Sequence, residues 1–147
     1  MNIQIRTLIE EDKVDWFRLW VRYQAFYRST IPDSISELTW CRFADPAEPM
    51  VAFGAYAKST LVGIVHAIYH RSTWTEGDYC YLQDLFADAA CRGQGVGRAL
   101  IEHVCEQARV RGASQIYWLT HESNAQAILL YDHVAERSGF LQYRMLL

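Results

Sequence analysis

No two cysteines of this chain form a C-x-x-C pair. Cys41, Cys80, Cys91 and Cys105 are scattered, which excludes zinc-ribbon and thioredoxin-type sites. Isolated thiols of this kind are expected to be reduced residues of a cytoplasmic protein. A surplus of positive charge is also missing. Lysine and arginine number 14 against 17 aspartates and glutamates, a net charge of -3. No general field therefore draws nucleic-acid phosphates, and any basic site must be local. No apolar run reaches the roughly 18 residues that a membrane helix needs, and the opening Met1 to Arg6 has no signal-type segment. Neither repeats nor low-complexity linkers appear. We thus expect no nucleic-acid partner and no membrane partner. The remaining composition, 51% hydrophobic and 21% charged, is that of a globular chain, and 147 residues suit one domain, 1–147.

Patterning predicts the elements. Residues 2–8 read as a short strand. Glu10 to Tyr27 read as a helix whose first turn is acidic, where the helix dipole favours negative charge. Trp16, Trp20, Tyr23 and Tyr27 form one stripe of that helix, and Val14, Phe17 and Val21 a second, so burial on two sides is expected. A second helix starts at Pro32-Asp33-Ser34 and ends near Phe43. Val51–Ala57 and Leu61–His70 read as a hairpin around Lys58-Ser59-Thr60. Tyr79–Ala87 is a further strand. Strict alternation puts Tyr79, Tyr81, Gln83 and Leu85 on one face and Cys80, Leu82, Asp84 and Phe86 on the other. Val96, Leu100, Val104 and Ala108 repeat at helical spacing, and Gly112 closes that helix. Gln115–Thr120 reads as a central strand, Asn124–Arg137 as a last helix ended by Gly139, and Phe140–Leu147 as a closing strand. This order implies a mixed α/β (α+β) sheet with a parallel pair joined by a right-handed crossover.

The chemistry concentrates after the fourth strand. Arg92-Gly93-Gln94-Gly95-Val96-Gly97-Arg98 leads straight into a helix. Its glycines let the backbone approach a ligand and adopt positive φ. The free N–H groups and the dipole of the first helical turn make an anion site suited to a phosphate or diphosphate, and Arg92 and Arg98 can add charge-assisted contacts. A P-loop fails, because Gly97 is followed by Arg98-Ala99 rather than lysine and a hydroxyl residue. A dinucleotide fingerprint fails, because the third glycine comes one residue early and three strands precede the motif.

Arg92 to Gly97 matches the R/Q-x-x-G-x-G/A signature of the GNAT superfamily of acyl-CoA-dependent N-acyltransferases. Tyr81-Leu82-Gln83-Asp84-Leu85-Phe86 precedes it, and Asn124-Ala125-Gln126-Ala127, Leu130-Tyr131 and Ser138-Gly139-Phe140 follow in the family's order. The chain resembles that family, and within it the polyamine- and histone-type acetyltransferases. The resemblance implies about six or seven mixed strands splayed between the fourth and fifth, flanked by about four helices. It implies acetyl-CoA as cosubstrate, no metal, and a homodimer. The coenzyme arm would pair with the backbone of Leu85, Phe86 and Ala87. Its diphosphate would lie on Arg92, Gly93, Gln94, Gly95, Val96, Gly97 and Arg98. Asn124 would touch the arm, and Tyr131 would stand near the sulfur as general acid for the leaving thiolate.

The resemblance thus implies an N-acetyltransferase acting on a primary amine, a small one such as a polyamine, diamine or amino acid, by direct attack in a ternary complex. The amine must first lose a proton. A lysine-like group with a pKa of about 10.4 is neutral only about one part in 2,500 at pH 7, a cost near 4.6 kcal/mol. The polyamine-type enzymes place a strand glutamate at the base position, and here Gln83 stands there, which cannot accept a proton. Glu76 is a nearby candidate base, as are Asp78 and Asp84; His66 and His70 can relay a proton through water. The catalytic candidates are therefore Tyr131, Gln83 and Glu76. Asp84, on the face opposite Gln83, is expected to be structural or substrate-orienting. Tyr23, Tyr27, Tyr69 and Trp74, with Asp33, Glu37 and Glu76, are expected to form an aromatic, acidic acceptor pocket. Thr120-His121-Glu122 is no metalloprotease motif, since Ala125 occupies the second histidine position. Two other functions stay open at this point: acetylation of a protein lysine or N-terminus, and a non-catalytic acyl-CoA-binding module.

Overall fold

The structure is a computed structural model that describes residues 2–147. Strand β1 (Ile3–Thr7) leads through a 3-10 turn (Glu10–Asp12) into α1 (Lys13–Phe26) and α2 (Asp33–Ala44). Strands β2 (Met50–Ala57), β3 (Thr60–His70) and β4 (Tyr79–Ala87) follow. Next come α3 (Val96–Val110), β5 (Gln115–Tyr117) and α4 (Ala125–Val134). The five strands lie side by side in chain order, antiparallel from β1 to β4, with β5 parallel to β4. Lys58 (φ 48°) and Ser59 (φ 69°) turn the β2–β3 hairpin with two left-handed residues, the geometry whose twist matches paired strands.

Two cores cover the two faces of the sheet. On one face α3 places Val96, Leu100, Ile101, Val104 and Ala108 against Phe53, Val65, Ala67 and Leu82. On the other, Trp16, Leu19 and Trp20 of α1 and Trp40 of α2 pack on Leu61, Ile64 and Phe86. The Trp16 ring lies 5.9 Å from Trp20 and 4.9 Å from Trp40. Aromatic pairs of this kind add about 0.5–1.5 kcal/mol each beyond their burial. Gly63 on β3 sets how closely α3 approaches. A Cβ there would lie 2.6 Å from Val96 Cγ1 and 3.2 Å from Leu100 Cδ1, so the start of α3 can sit down on the sheet only above a glycine.

Several expectations are corrected. The second stripe of α1 is not buried as a unit: Val14 is 81% exposed and Val21 is exposed as well. One tryptophan-rich stripe already fills the space above the sheet. The last helix ends at Val134 rather than Arg137, and β5 at Tyr117 rather than Thr120. Residues 140–147 form no strand, so the sheet has five strands instead of six or seven. Residues 140–147 are all exposed, Phe140 at 87% and Tyr143 at 90%, so their alternation has no face to bury. Among the described residues no helix is long and apolar enough to cross a membrane.

The alternation of β4 also breaks. His66 pairs with Asp84 but Ala67 pairs with Leu82, leaving Gln83 as the extra residue of a β-bulge. The bulge returns Asp84 to the α1 face, with Phe86, while Cys80, Leu82 and Leu85 pack on the α3 side. Asp84 and Cys80 are therefore on opposite faces, not the same one.

Candidate active site

Strands β4 and β5 pair only over Tyr79–Tyr81 and Gln115–Tyr117. Beyond that point they separate, and on the side away from β3 the edge of β4 from Leu82 to Ala87 has no strand beside it among the described residues. A cavity of about 380 Å³ opens there. One wall is Leu85, Phe86 and Ala87 of β4. The floor is the loop and first turn leading into α3. The far wall is Asn124 with Gln126, Ala127, Leu130 and Tyr131 of α4, and Tyr23 and Phe26 of α1 with Tyr27 just after it close the remaining side. The size falls within the range of small-molecule sites.

The floor is built for an anion. Gly95 is the N-cap of α3 in the left-handed region (φ 86°), and Gly93 is likewise left-handed (φ 75°). The first backbone bond of the helix is from Ala99 N–H to the Gly95 carbonyl, at 3.0 Å. The N–H groups of Val96, Gly97 and Arg98 precede it, have no acceptor within the helix, and receive no side-chain cap. A Cβ on Gly97 would meet only Leu130 at 3.6 Å and Leu85 at 4.0 Å, so the bare glycine keeps the gap between β4 and α4 open at this level. Arg92 is exposed, donates from Nε to the Ala87 carbonyl at 3.3 Å, and lies 5.4 Å from the rings of Phe26 and Phe86. Arg98 is paired with Glu102 at 2.9 Å.

The α1 side carries a chain of polar contacts. Trp16 Nε1 donates to Nε2 of the buried His66 at 3.0 Å. An indole N–H can only donate, so Nε2 is bare and the ring proton sits on Nδ1. Nδ1 then donates to Asp84 Oδ2 at 2.9 Å. Tyr23 lies near the same carboxylate, and Tyr27 lies near Asp84, Tyr23 and Asn124. Burial first, then the Asp84 charge, pushes the Tyr23 phenol far above its ordinary value. Tyr131 stands edge-on to Trp118, with ring centroids 5.5 Å apart. Burial, with a smaller effect of Tyr27, pushes its phenol up to about 12, so the hydroxyl remains a donor.

Of the residues expected at the coenzyme site, all but Gln94 line this cavity; the Gln94 amide turns back to the Ala90 carbonyl at 3.4 Å. Of the catalytic candidates only Tyr131 lines it; Gln83 and Glu76 are exposed and stand elsewhere. The expected acceptor pocket does not assemble as a unit. Tyr23 and Tyr27 face the cavity, but Tyr69 is buried in the α3-side core, Glu37 is paired with Lys13, and Trp74 is 85% exposed. Ala127 and Leu130 were not expected, although they lie four and one residues before Tyr131 on α4. Among the described residues no three metal-ligating side chains come together.

Known acetyltransferases resemble this chain in sequence and in fold. A D-amino-acid N-acetyltransferase of Saccharomyces cerevisiae is 32% identical over 147 residues, covering 97% of this chain and 90% of that enzyme. A thialysine N-epsilon-acetyltransferase of Mus musculus is 34% identical over 103 residues, covering 67% of this chain and 60% of that enzyme. The fold matches the crystal structure of an aminoglycoside acetyltransferase from an uncultured soil metagenomic sample with a TM-score of 0.80, at 21% identity, over 98% of this chain and 96% of that one. The sequence profile of the acetyltransferase (GNAT) family matches residues 7–135, and the chain belongs to that family of acetyltransferases.

Proposed function

We propose that this acetyltransferase moves the acetyl group of acetyl-CoA onto the primary amine of a small molecule, by direct attack within a ternary complex. One observation carries the reading: the unpaired edge of β4 runs into the unsatisfied N–H groups at the start of α3, along a single cavity. An extended thioester arm ending in a diphosphate fits that sequence of groups. The β4 edge offers main-chain partners for the arm, and the helix terminus offers donors and positive potential for the diphosphate. Asn124 stands along the arm, and Tyr131 supplies the proton to sulfur as the C–S bond breaks. The relatives' action on a D-amino acid and on thialysine supports a small amine as acceptor.

Thiol release from acetyl-CoA, followed across a panel of amino acids of both hands, thialysine, diamines and polyamines, tests the proposal. At least one small amine is expected to accelerate release by several powers of ten over the amine-free rate. Tight binding of acetyl-CoA with no amine-dependent release would favour a non-catalytic module. Release with peptides alone would favour a protein substrate.

A further inference from the structure

With Gln83 unable to take a proton, the molecule needs another acceptor for the proton that the amine nitrogen sheds as it attacks. Asp84 is the best-supported carboxylate for this. It lies beside the bulge, partly buried on the α1 face, with its side chain 15% exposed. No lysine or arginine is paired with it among the described residues; its hydrogen-bond partner is His66, and the Tyr23 phenol lies near it. The Trp16 bond leaves His66 with one ring proton, directed at Asp84. That donor supports the carboxylate without adding a positive charge. Tyr23 completes the connection, because it lines the cavity and lies close enough to Asp84 to feel its charge. The ring is held by stacking on Trp20 (5.4 Å, 11°) and by the edge of Phe86 (6.1 Å, 84°).

We infer that Tyr23 and Asp84 form a two-membered proton relay that takes the place of a base at Gln83, with His66 as the positioning residue that holds the carboxylate. The inference rests on the transfer reaction proposed above. The amine attacks as the neutral base, its ammonium proton having passed to solvent, and as its nitrogen bonds to the thioester carbon it becomes positively charged and far more acidic. One of its protons passes to the Tyr23 oxygen while the Tyr23 proton passes to Asp84. The carbonyl then re-forms, the C–S bond breaks with its electron pair on sulfur, and sulfur takes the Tyr131 proton. The products are amide and thiol, with Asp84 protonated and Tyr131 ionised; one proton exchanged through solvent resets both. Burial disfavours a free Tyr23 phenolate, so the two transfers at Tyr23 are concerted.

Tyr23→Phe and Asp84→Asn, with their double variant, test the relay; both keep the packing shape, and melting temperature with acetyl-CoA affinity reports whether the fold survives. Each single variant is expected to lower kcat about 100-fold or more with unchanged acetyl-CoA affinity. The double variant is expected to fall no further than the worse single, since members of one relay are not additive. A Tyr23→Phe enzyme within about threefold of the unaltered rate, or a double variant whose loss is the product of the two singles, overturns the relay. If the unaltered chain binds no acetyl-CoA, or releases thiol with no amine, the reading beneath the relay fails instead.

Discussion

Replacing Tyr131 by phenylalanine is expected to lower kcat for amine transfer by about 10²–10⁴-fold, or about 3–5 kcal/mol of barrier. The ring would keep its edge contact with Trp118, so acetyl-CoA affinity is expected to stay within about threefold, and the loss falls on the chemical step. The reason lies with the leaving group. A thiolate expelled into a cavity walled by Leu85, Leu130 and Phe86 has little water to solvate it, and the Tyr131 O–H is the donor that the α4 wall presents. Burial holds that phenol at about 12. The proton therefore stays on oxygen across the ordinary working range, and Tyr131 contributes no alkaline fall in rate below a pH of about 11. Pre-steady-state thiol release at several pH values checks both statements. An unchanged rate in Tyr131→Phe removes the general acid.

The second large effect concerns the floor of the cavity. Gly95→Asp is expected to weaken acetyl-CoA binding at least about 100-fold, or about 2.7 kcal/mol, while leaving thermal stability nearly intact. Those outcomes separate because of what an aspartate does at this position. Gly95 has φ 86°, a left-handed conformation that costs an ordinary residue about 1–2 kcal/mol but that aspartate and asparagine visit more readily. Its carboxylate can also cap the free N–H groups of α3 and suits the dipole. The helix keeps its start, yet the donors are occupied and a like charge meets the diphosphate. Gly95→Asn meets the same backbone demand without the charge, and is expected to bind acetyl-CoA more tightly than Gly95→Asp by about tenfold. Calorimetric titration and melting curves on the three proteins read the comparison.

What could be read from the residues was what depends on near neighbours. The bounds of β4, the glycine turn and the amphipathic stripe of α3 are local patterns, and each lies where the patterning puts it. The bulge at Gln83 was not legible. Alternation assumes an unbroken period of two, and one extra residue reverses every later side chain; only the pairing with His66 and Ala67 reveals it. The link from Trp16 through His66 to Asp84 joins residues 50 and 18 positions apart in sequence, so no window along the chain contains it. The closing strand and the full length of the last helix were overestimated for a related reason. Alternating apolar residues in 140–147 show a capacity to pair, and pairing also requires a core to pack against, which these exposed residues do not reach.

The central claim is that the amino terminus of α3 receives the diphosphate, and amide resonances of the protein titrated with acetyl-CoA test it most directly. The N–H signals of Val96, Gly97 and Arg98 are expected to shift saturably with acetyl-CoA and to stay still with an acetylated pantetheine that lacks the diphosphate. Saturable shifts elsewhere in the sheet, with those three amides unmoved by acetyl-CoA, would contradict it.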